Sequence, residues 1–309
     1  MTGQVKRRQW GLAYADLQGV SLKVRRHLVT ILRWLVLLEL AYVFLFPVLF
    51  MLSTSFKPLI ELSNPTVRWI PRNPTADGYV LALEHLNYFR SLPVSIVTSA
   101  IAAIGQTLVG ALVGYGFARL PFPGRQLLFG VLLFTIIVPP QIVMIPQFML
   151  YSKLNWMNTY LPLLVPTYLG YGVRGGILLV VYRQFFKGLP FELEDSAAVD
   201  GAGPLRIFWQ IMLPLAKPAI LVVFLFSFVW TWNDSLGPII ALRNQDLYTL
   251  PQWMFNMTRL LTSSSFTYYY LGENLFMAAV TLTIAPLLLL FLVTQRYFTR
   301  SIDRSGLVE

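Results

Sequence analysis

Residues 189–214 read LPFELEDSAAVDGAGPLRIFWQIMLP, an acidic, small-sided stretch set between long apolar runs. It carries Glu192, Glu194, Asp195 and Asp200, with small side chains at Ser196, Ala197, Ala198, Gly201 and Ala202. Pro190 can open a helix, and the first three acids then fall in its opening turns, where the positive end of the helix dipole favours them. The small residues leave one surface of that helix nearly bare, so another protein can come close. Gly201, Gly203 and Pro204 are expected to end it and turn into a second helix over 205–212, which Pro214 stops. On spacing alone the competing reading is an ordinary solvated loop.

Outside this stretch the chain is built for lipid. Hydrophobic residues make up 56% of it and charged residues only 12%, which sets it apart from ordinary soluble domains. The apolar residues fall in long runs, and about 20 in a row cross ~30 Å of hydrocarbon. Six spans are read, at 31–52, 94–118, 127–150, 160–182, 216–240 and 275–295. A soluble fold would have to bury all six in one core, which their length argues against. The expected fold class is an all-α polytopic membrane protein. A basic segment (1–30) precedes the spans, and a tail (296–309) follows the membrane body at 31–295.

The placement of Lys and Arg orients the bundle. One side has Lys6, Arg7, Arg8, Lys23, Arg25, Arg26 and Arg33, then Arg119, Arg125, Arg183, Lys187, Arg206 and Lys217, and finally Arg296, Arg300 and Arg304. Its short loops are the more basic, so that side, with both termini and the acidic stretch, is expected in the cytoplasm. The net charge of +10 is then an orientation signal, and nothing resembles an aromatic-interleaved nucleic-acid surface. The first apolar run has a long basic leader and no small-residue cleavage site, so it is expected to stay as an anchor.

Several chemistries are excluded. The sequence has no cysteine, which removes disulfides and thiolate sites, and its two histidines, His27 and His85, are too far apart for a metal cluster. No HExxH, G-x-S-x-G or Walker-type phosphate loop occurs, so the chain cannot hydrolyse ATP by that route on its own. A membrane-embedded enzyme would need a reactive constellation, and no catalytic or metal-ligating set is found. Six kinked spans also suit a secondary carrier or channel, which would have no need of an acidic docking stretch.

Within the spans, Gly110-x-x-x-Gly114 reads as a close-packing face, and prolines at 139, 140, 146, 162, 166, 238 and 286 interrupt or bound helices. Ionisable residues there are functional candidates. Arg174 lies nine residues back from Arg183, near the membrane middle at ~1.5 Å per residue. Glu39, six residues past Arg33, is expected at a comparable depth, where it could neutralise Arg174. Trp230, Trp232, Asn233 and Asp234 form an aromatic-polar cluster toward the outer end of the fifth span, where an interfacial belt is the bland alternative.

The stretch 183–214 resembles the coupling loop of binding-protein-dependent ABC importer permeases, whose pattern is E-A-A, three residues, G, nine residues, I-x-L-P. Asp195-Ser196-Ala197 stands at the E-A-A position, Gly201 is the glycine, and Ile211-Met212-Leu213-Pro214 closes it at matching spacing, with Asp for Glu and Ser for Ala as departures. Residues 118–125 (ARLPFPGR), Arg183-Gln184-Phe185-Phe186, Trp232-Asn233-Asp234, Thr249-Leu250-Pro251 and Gln295-Arg296-Tyr297-Phe298 are similar to signatures of the carbohydrate-uptake branch, the second membrane subunit of maltose-type systems. The glycine-rich ending usual there is largely replaced by 301–309.

That resemblance implies a type I importer fold in a bacterial or archaeal inner membrane, and alternating access driven by a dimer of ATPase subunits. ATP and Mg would be bound by those partners, with no cofactor in this chain. A second permease subunit, an extracytoplasmic solute-binding protein and a carbohydrate complete the expected partners, and no nucleic acid is among them. Glu192, Glu194, Asp195, Ser196, Ala197, Asp200, Gly201, Ala202, Ile211, Leu213 and Pro214 would couple to the ATPase, while Glu39, Arg174, Trp230, Trp232, Asn233 and Asp234 are candidates for the substrate path. The outer stretch 261–270, rich in Ser and Tyr, is a candidate contact for the binding protein.

Overall fold

The computed structural model describes the backbone of residues 2–262 and 266–305, and the side chains of 26–259 and 272–296. The leader charges Lys6, Arg7, Arg8, Lys23 and Arg25, the side chains of the outer stretch 261–270, and the tail from 297 lie outside the residues so described. No strand occurs among the described residues. The helices α1 (Thr2–Ser55), α2 (Leu59–Leu62), α3 (Asp77–His85) and α4 (Tyr88–Arg119) come first. They are followed by α5 (Arg125–Ile137), α6 (Pro140–Lys153), α7 (Leu161–Tyr168) and α8 (Gly175–Lys187). The acidic stretch supplies α9 (Glu192–Val199), α10 (Pro204–Ile207), a π turn (Phe208–Met212) and α11 (Leu213–Leu215). The last helices are α12 (Lys217–Trp232), α13 (Leu236–Ala241), α14 (Leu250–Thr262) and α15 (Phe266–Ser305).

Of the six expected spans, several are broken, as the prolines within them led one to expect. Among the described residues three unbroken helices are long and apolar enough to cross a membrane, Arg26–Ser55, Tyr88–Arg119 and Gly272–Arg296, and two bent helix pairs bring that to as many as five. The third expected span bends by 101° between α5 and α6. The helical region is disfavoured for a residue that precedes a proline, and here Val138 and Pro139, preceding Pro139 and Pro140, are both extended at ψ 120° and 132°. The fourth is parted between α7 and α8 by residues 169–174, where Gly170 and Arg174 take φ of +77° and +54°. The fifth is helical to Trp232, breaks at residues 233–235 and resumes in α13, and a bend of 78° joins it to the helix Pro204–Leu215 before it.

Helix α4 is the spine of the bundle, with α7, α8 and α12 packed along it. Its glycines make that possible. A Cβ at Gly114 would lie 2.5 Å from Tyr182 Cβ, and one at Gly110 would lie 3.2 Å from the Tyr182 ring. The G-x-x-x-G face is therefore a seat for one tyrosine of α8, the close-packing role expected of it. Two apolar clusters sit toward the two ends of the spine. One gathers Tyr115, Tyr182, Phe186, Phe208, Met212 and Val223 beside the acidic stretch. The other joins Leu86, Phe228, Trp232, Leu250 and Ala278 toward the opposite end. Helix α1 packs along α15, and none of its most apolar window is buried within the chain.

Candidate functional site

The acidic stretch is a short structure with two anchors. The first is Arg119, the last residue of α4, whose side chain is only 1% exposed. Its Nη2 donates to the Leu189 carbonyl, its guanidinium lies 4.0 Å from the centre of the Phe191 ring, and its Nε stands 3.5 Å from Glu194 Oε1. An arginine can do all three because its planar head offers donors at the edge and a cationic face to a ring. Glu194 is itself mostly buried, at 15% exposure. Burial pushes its carboxyl above the usual range and Asp195 adds to the rise, while Arg119 pulls the other way. Desolvation therefore outweighs an ion pair too long to be a hydrogen bond, and Glu194 Oε1 and Arg119 Nε have no hydrogen-bond partner.

The second anchor is the end of α9. The Ala202 N–H bonds the Ala197 carbonyl at 2.9 Å and the Gly201 N–H bonds that of Ala198 at 3.0 Å, with Gly201 at φ +80°. This is a Schellman cap, with glycine at the one position that needs a left-handed backbone. Nothing lies within 4 Å of where a Gly201 Cβ would be, so the glycine is there for its conformation and not for space. Ala197 and Ala202 both pack against the cluster around Phe208, which seals the cap. The Ser196 hydroxyl donates back to the Glu192 carbonyl at 2.7 Å, so its hydrogen is spent on its own helix.

What remains outward combines acid with grease. Glu192, Asp195 and Asp200 are exposed, and among them stand Phe191 (59% exposed), Val199 (88%), Leu205 (68%) and Trp209 (56%). The sequence reading named the acids and missed these four apolar residues, which are unremarkable until one knows that they face outward. Of the closing motif, Ile211 and Leu213 pack on the inner cluster, Met212 is fully buried and Pro214 is exposed. Ile211, Met212 and Leu213 thereby fasten the segment from below. The π turn lets the Leu213 N–H reach the Phe208 carbonyl across the approach to Pro214.

The path candidates separate. Arg174 is exposed at the start of α8, with its guanidinium 5.1 Å from the Trp230 ring. Trp232 is 1% exposed and stacks on Phe228 at 5.9 Å, so it belongs to the packing. Asp234 accepts from the Leu236 and Gly237 N–H groups at 3.1 and 3.3 Å and starts α13, while exposed Asn233 donates to the Val229 carbonyl at 2.8 Å. Glu39 is exposed on α1, whose main neighbour is α15, and the expected pair with Arg174 does not form. Ion pairs do form at Arg119–Glu194 and Arg90–Asp246. Equal depth in a membrane does not put two residues on facing helices. No group of three His, Asp or Glu is placed to hold a metal among the described residues.

The sequence matches the family described as binding-protein-dependent transport system inner membrane component over residues 106–304, which takes in the spine from Gln106, the break and the whole acidic stretch. The chain belongs to that family. Its members are permease subunits of ABC importers, so the chain is a transport subunit and not an enzyme. It is 30% identical to the arabinooligosaccharides transport system permease protein AraQ of Halalkalibacterium halodurans, across 92% of this chain and 99% of that one. It is 31% identical to the diacetylchitobiose uptake system permease protein NgcG of Streptomyces coelicolor, across 84% and 82%. The fold is similar to that of a chain in the crystal structure of a bacterial ABC transporter involved in import of the acidic polysaccharide alginate, with TM-score 0.72 and 19% identity over 88% of this chain and 97% of that one.

Proposed function

We propose that this permease forms half of a carbohydrate pathway and takes its power stroke from an ATPase subunit docked on α9 and Pro204–Leu215. The observation that carries the reading is the Arg119 anchor. A segment whose outer face is acidic and apolar is tied through a buried guanidinium to the end of the helix that runs the length of the bundle. A push on α9 is thereby passed to α4, and from α4 to α7, α8 and α12 packed on it. ATP and Mg belong to the partner ATPases, and the Arg119 end of the bundle faces the cytoplasm by the positive-inside rule. A second permease, an extracytoplasmic binding protein and alternating access complete the system.

A carbohydrate is favoured by what the path candidates offer. Trp230 presents a ring to sugar C–H faces and Arg174 presents donors to hydroxyls. The relatives named for oligosaccharide uptake support the same class. The test is uptake of diacetylchitobiose and arabino-oligosaccharides into proteoliposomes holding the full transporter, with intact or hydrolysis-dead ATPase subunits. Import that requires hydrolysis is expected; import that persists without it would favour a secondary carrier.

A further inference from the structure

Where span four is unwound, the side chain that touches the break is a buried amide. Gln106, on α4, is 4% exposed, and its Oε1 accepts from the Ser227 hydroxyl of fully buried Ser227 on α12. Its Nε2 donates to the Val173 carbonyl at 3.4 Å. The amide's orientation follows from chemistry, because a peptide carbonyl can only accept while a hydroxyl can donate. One side chain thus ties three elements together in surroundings where a freed carbonyl would have no water.

The break is shaped to receive it. A Cβ at Gly172 would fall 1.6 Å from Gln106 Nε2, and one at Gly105 would fall 2.7 Å from Thr167 Oγ1 and the Tyr168 ring. Tyr168 in turn donates to the Ile101 carbonyl at 3.1 Å. Held this way, residues 169–174 turn two polar side chains outward. Tyr171, 51% exposed, accepts from Gln147 Nε2 of α6 at 2.9 Å, and Arg174 lies over Trp230 of α12. An arginine, a tyrosine hydroxyl and a glutamine together are costly against lipid, so this side faces a watery path or a partner lining it.

We propose that Gln106 is a positioning residue of the translocation path, holding the unwound segment 169–174 so that Tyr171, Gln147, Arg174 and Trp230 form one polar-aromatic subsite for a sugar. The assignment rests on the carbohydrate-permease reading above and adds Tyr171, Gln147 and Gln106 to it. Gln106 does not touch the solute. It acts through the backbone of Val173.

The test exploits a chain without cysteine, in which Tyr171→Cys supplies the single thiol. The probe is a cationic methanethiosulfonate reagent, applied to the full transporter with and without ATP. Tyr171→Cys is expected to react, at a rate that ATP changes. Adding Gln106→Met, which keeps the shape and loses both hydrogen bonds, is expected to raise that rate at least about threefold as the segment loosens. Adding Gln106→Glu instead should introduce a pH dependence, measured relative to Tyr171→Cys alone to remove thiol ionisation. A protonated carboxyl can still donate to Val173 and keeps the slow rate at low pH, whereas the ionised form keeps only the Ser227 bond, repels the Val173 carbonyl and releases the segment. A thiol inert in both nucleotide states, an unchanged rate with Gln106→Met, or no added pH dependence with Gln106→Glu would overturn the proposal. ATP-dependent sugar import by the transporter with this chain unaltered, alongside any of those results, would leave the permease reading standing, so the two failures can be told apart.

Discussion

The acidic stretch at 189–214 and the break at 169–174 are the two places where the chain around α8 leaves the helix, and they are fastened in opposite ways. The stretch is held at its base by a charged head, a ring and a cap, while its outer face keeps acids and apolar side chains free for a partner. The break is held from inside by one neutral amide, and the polar groups it presents contact α6 and α12 of the same bundle. A lever needs stiffness, which several anchors with different chemistry supply. A segment that must rearrange between inward- and outward-facing states is better held by a few neutral hydrogen bonds, each worth roughly 1 kcal/mol net.

If that contrast is right, Arg119→Ala should do the most damage. It leaves Glu194 buried without a cation and the Leu189 carbonyl without its donor, at a cost of about 3 kcal/mol. Hydrogen exchange of the α9 amides should quicken accordingly, and ATP-driven uptake should collapse while membrane insertion persists. Arg119→Lys should restore part of the charge but neither the ring contact nor the fork.

Gly201→Val comes next, because a branched residue at φ +80° costs about 1–2 kcal/mol or more whatever the space around it. Gly201→Asn should be the mildest replacement at that position, since asparagine tolerates the left-handed region. A ranking by side-chain size instead, with Gly201→Ala milder than Gly201→Asn, would count against a conformational reason. Uptake rates in the three variants decide it.

Glu194→Gln should be milder than either. Because the folded carboxyl titrates above its ordinary value, its contribution to stability is fully present below the unfolded pKa and is lost as pH rises through the folded one. Exchange of the α9 amides should therefore be slower at mildly acid pH than at neutrality, after correction for intrinsic rates, and Glu194→Gln should flatten that dependence. Slower exchange at the higher pH would mean that the Arg119 attraction outweighs burial.

Ser196→Ala should matter least, within about 0.5 kcal/mol, because the hydroxyl is spent on its own helix. An uptake defect there would show that the departure from alanine at this position has a role in docking.

Much of the coupling segment could be read from the chain. The acids, the small residues, Gly201 and the closing Ile211-Met212-Leu213-Pro214 are local signals, since caps and helix stops are properties of a few neighbouring residues. Arg119 reads from the sequence as a basic loop marker and as part of the 118–125 signature, with nothing to tie it to the acidic segment 75 positions on, which it binds to the bundle at Glu194. Gln106 drew no notice as the lone amide in an apolar run, and a polar residue so isolated was the available signal. Trp232 and Asp234 read as path candidates because composition cannot tell a buried ring from a lining one, or a capping carboxylate from a free one.

The sequence by itself determined that the chain lives in lipid, where its apolar runs lie, and that an acidic, glycine-capped segment interrupts them, because hydropathy and capping act over a turn or two of chain. Only the tertiary structure decided that the fourth span parts at residues 169–174, that Arg174 meets Trp230 and not Glu39, and which side chains hold the two non-helical stretches in place. Those outcomes depend on which helices lie side by side, and the packing of α8 and α12 against α4 is set by shape across the bundle, through glycine seats and buried amides far apart in the chain.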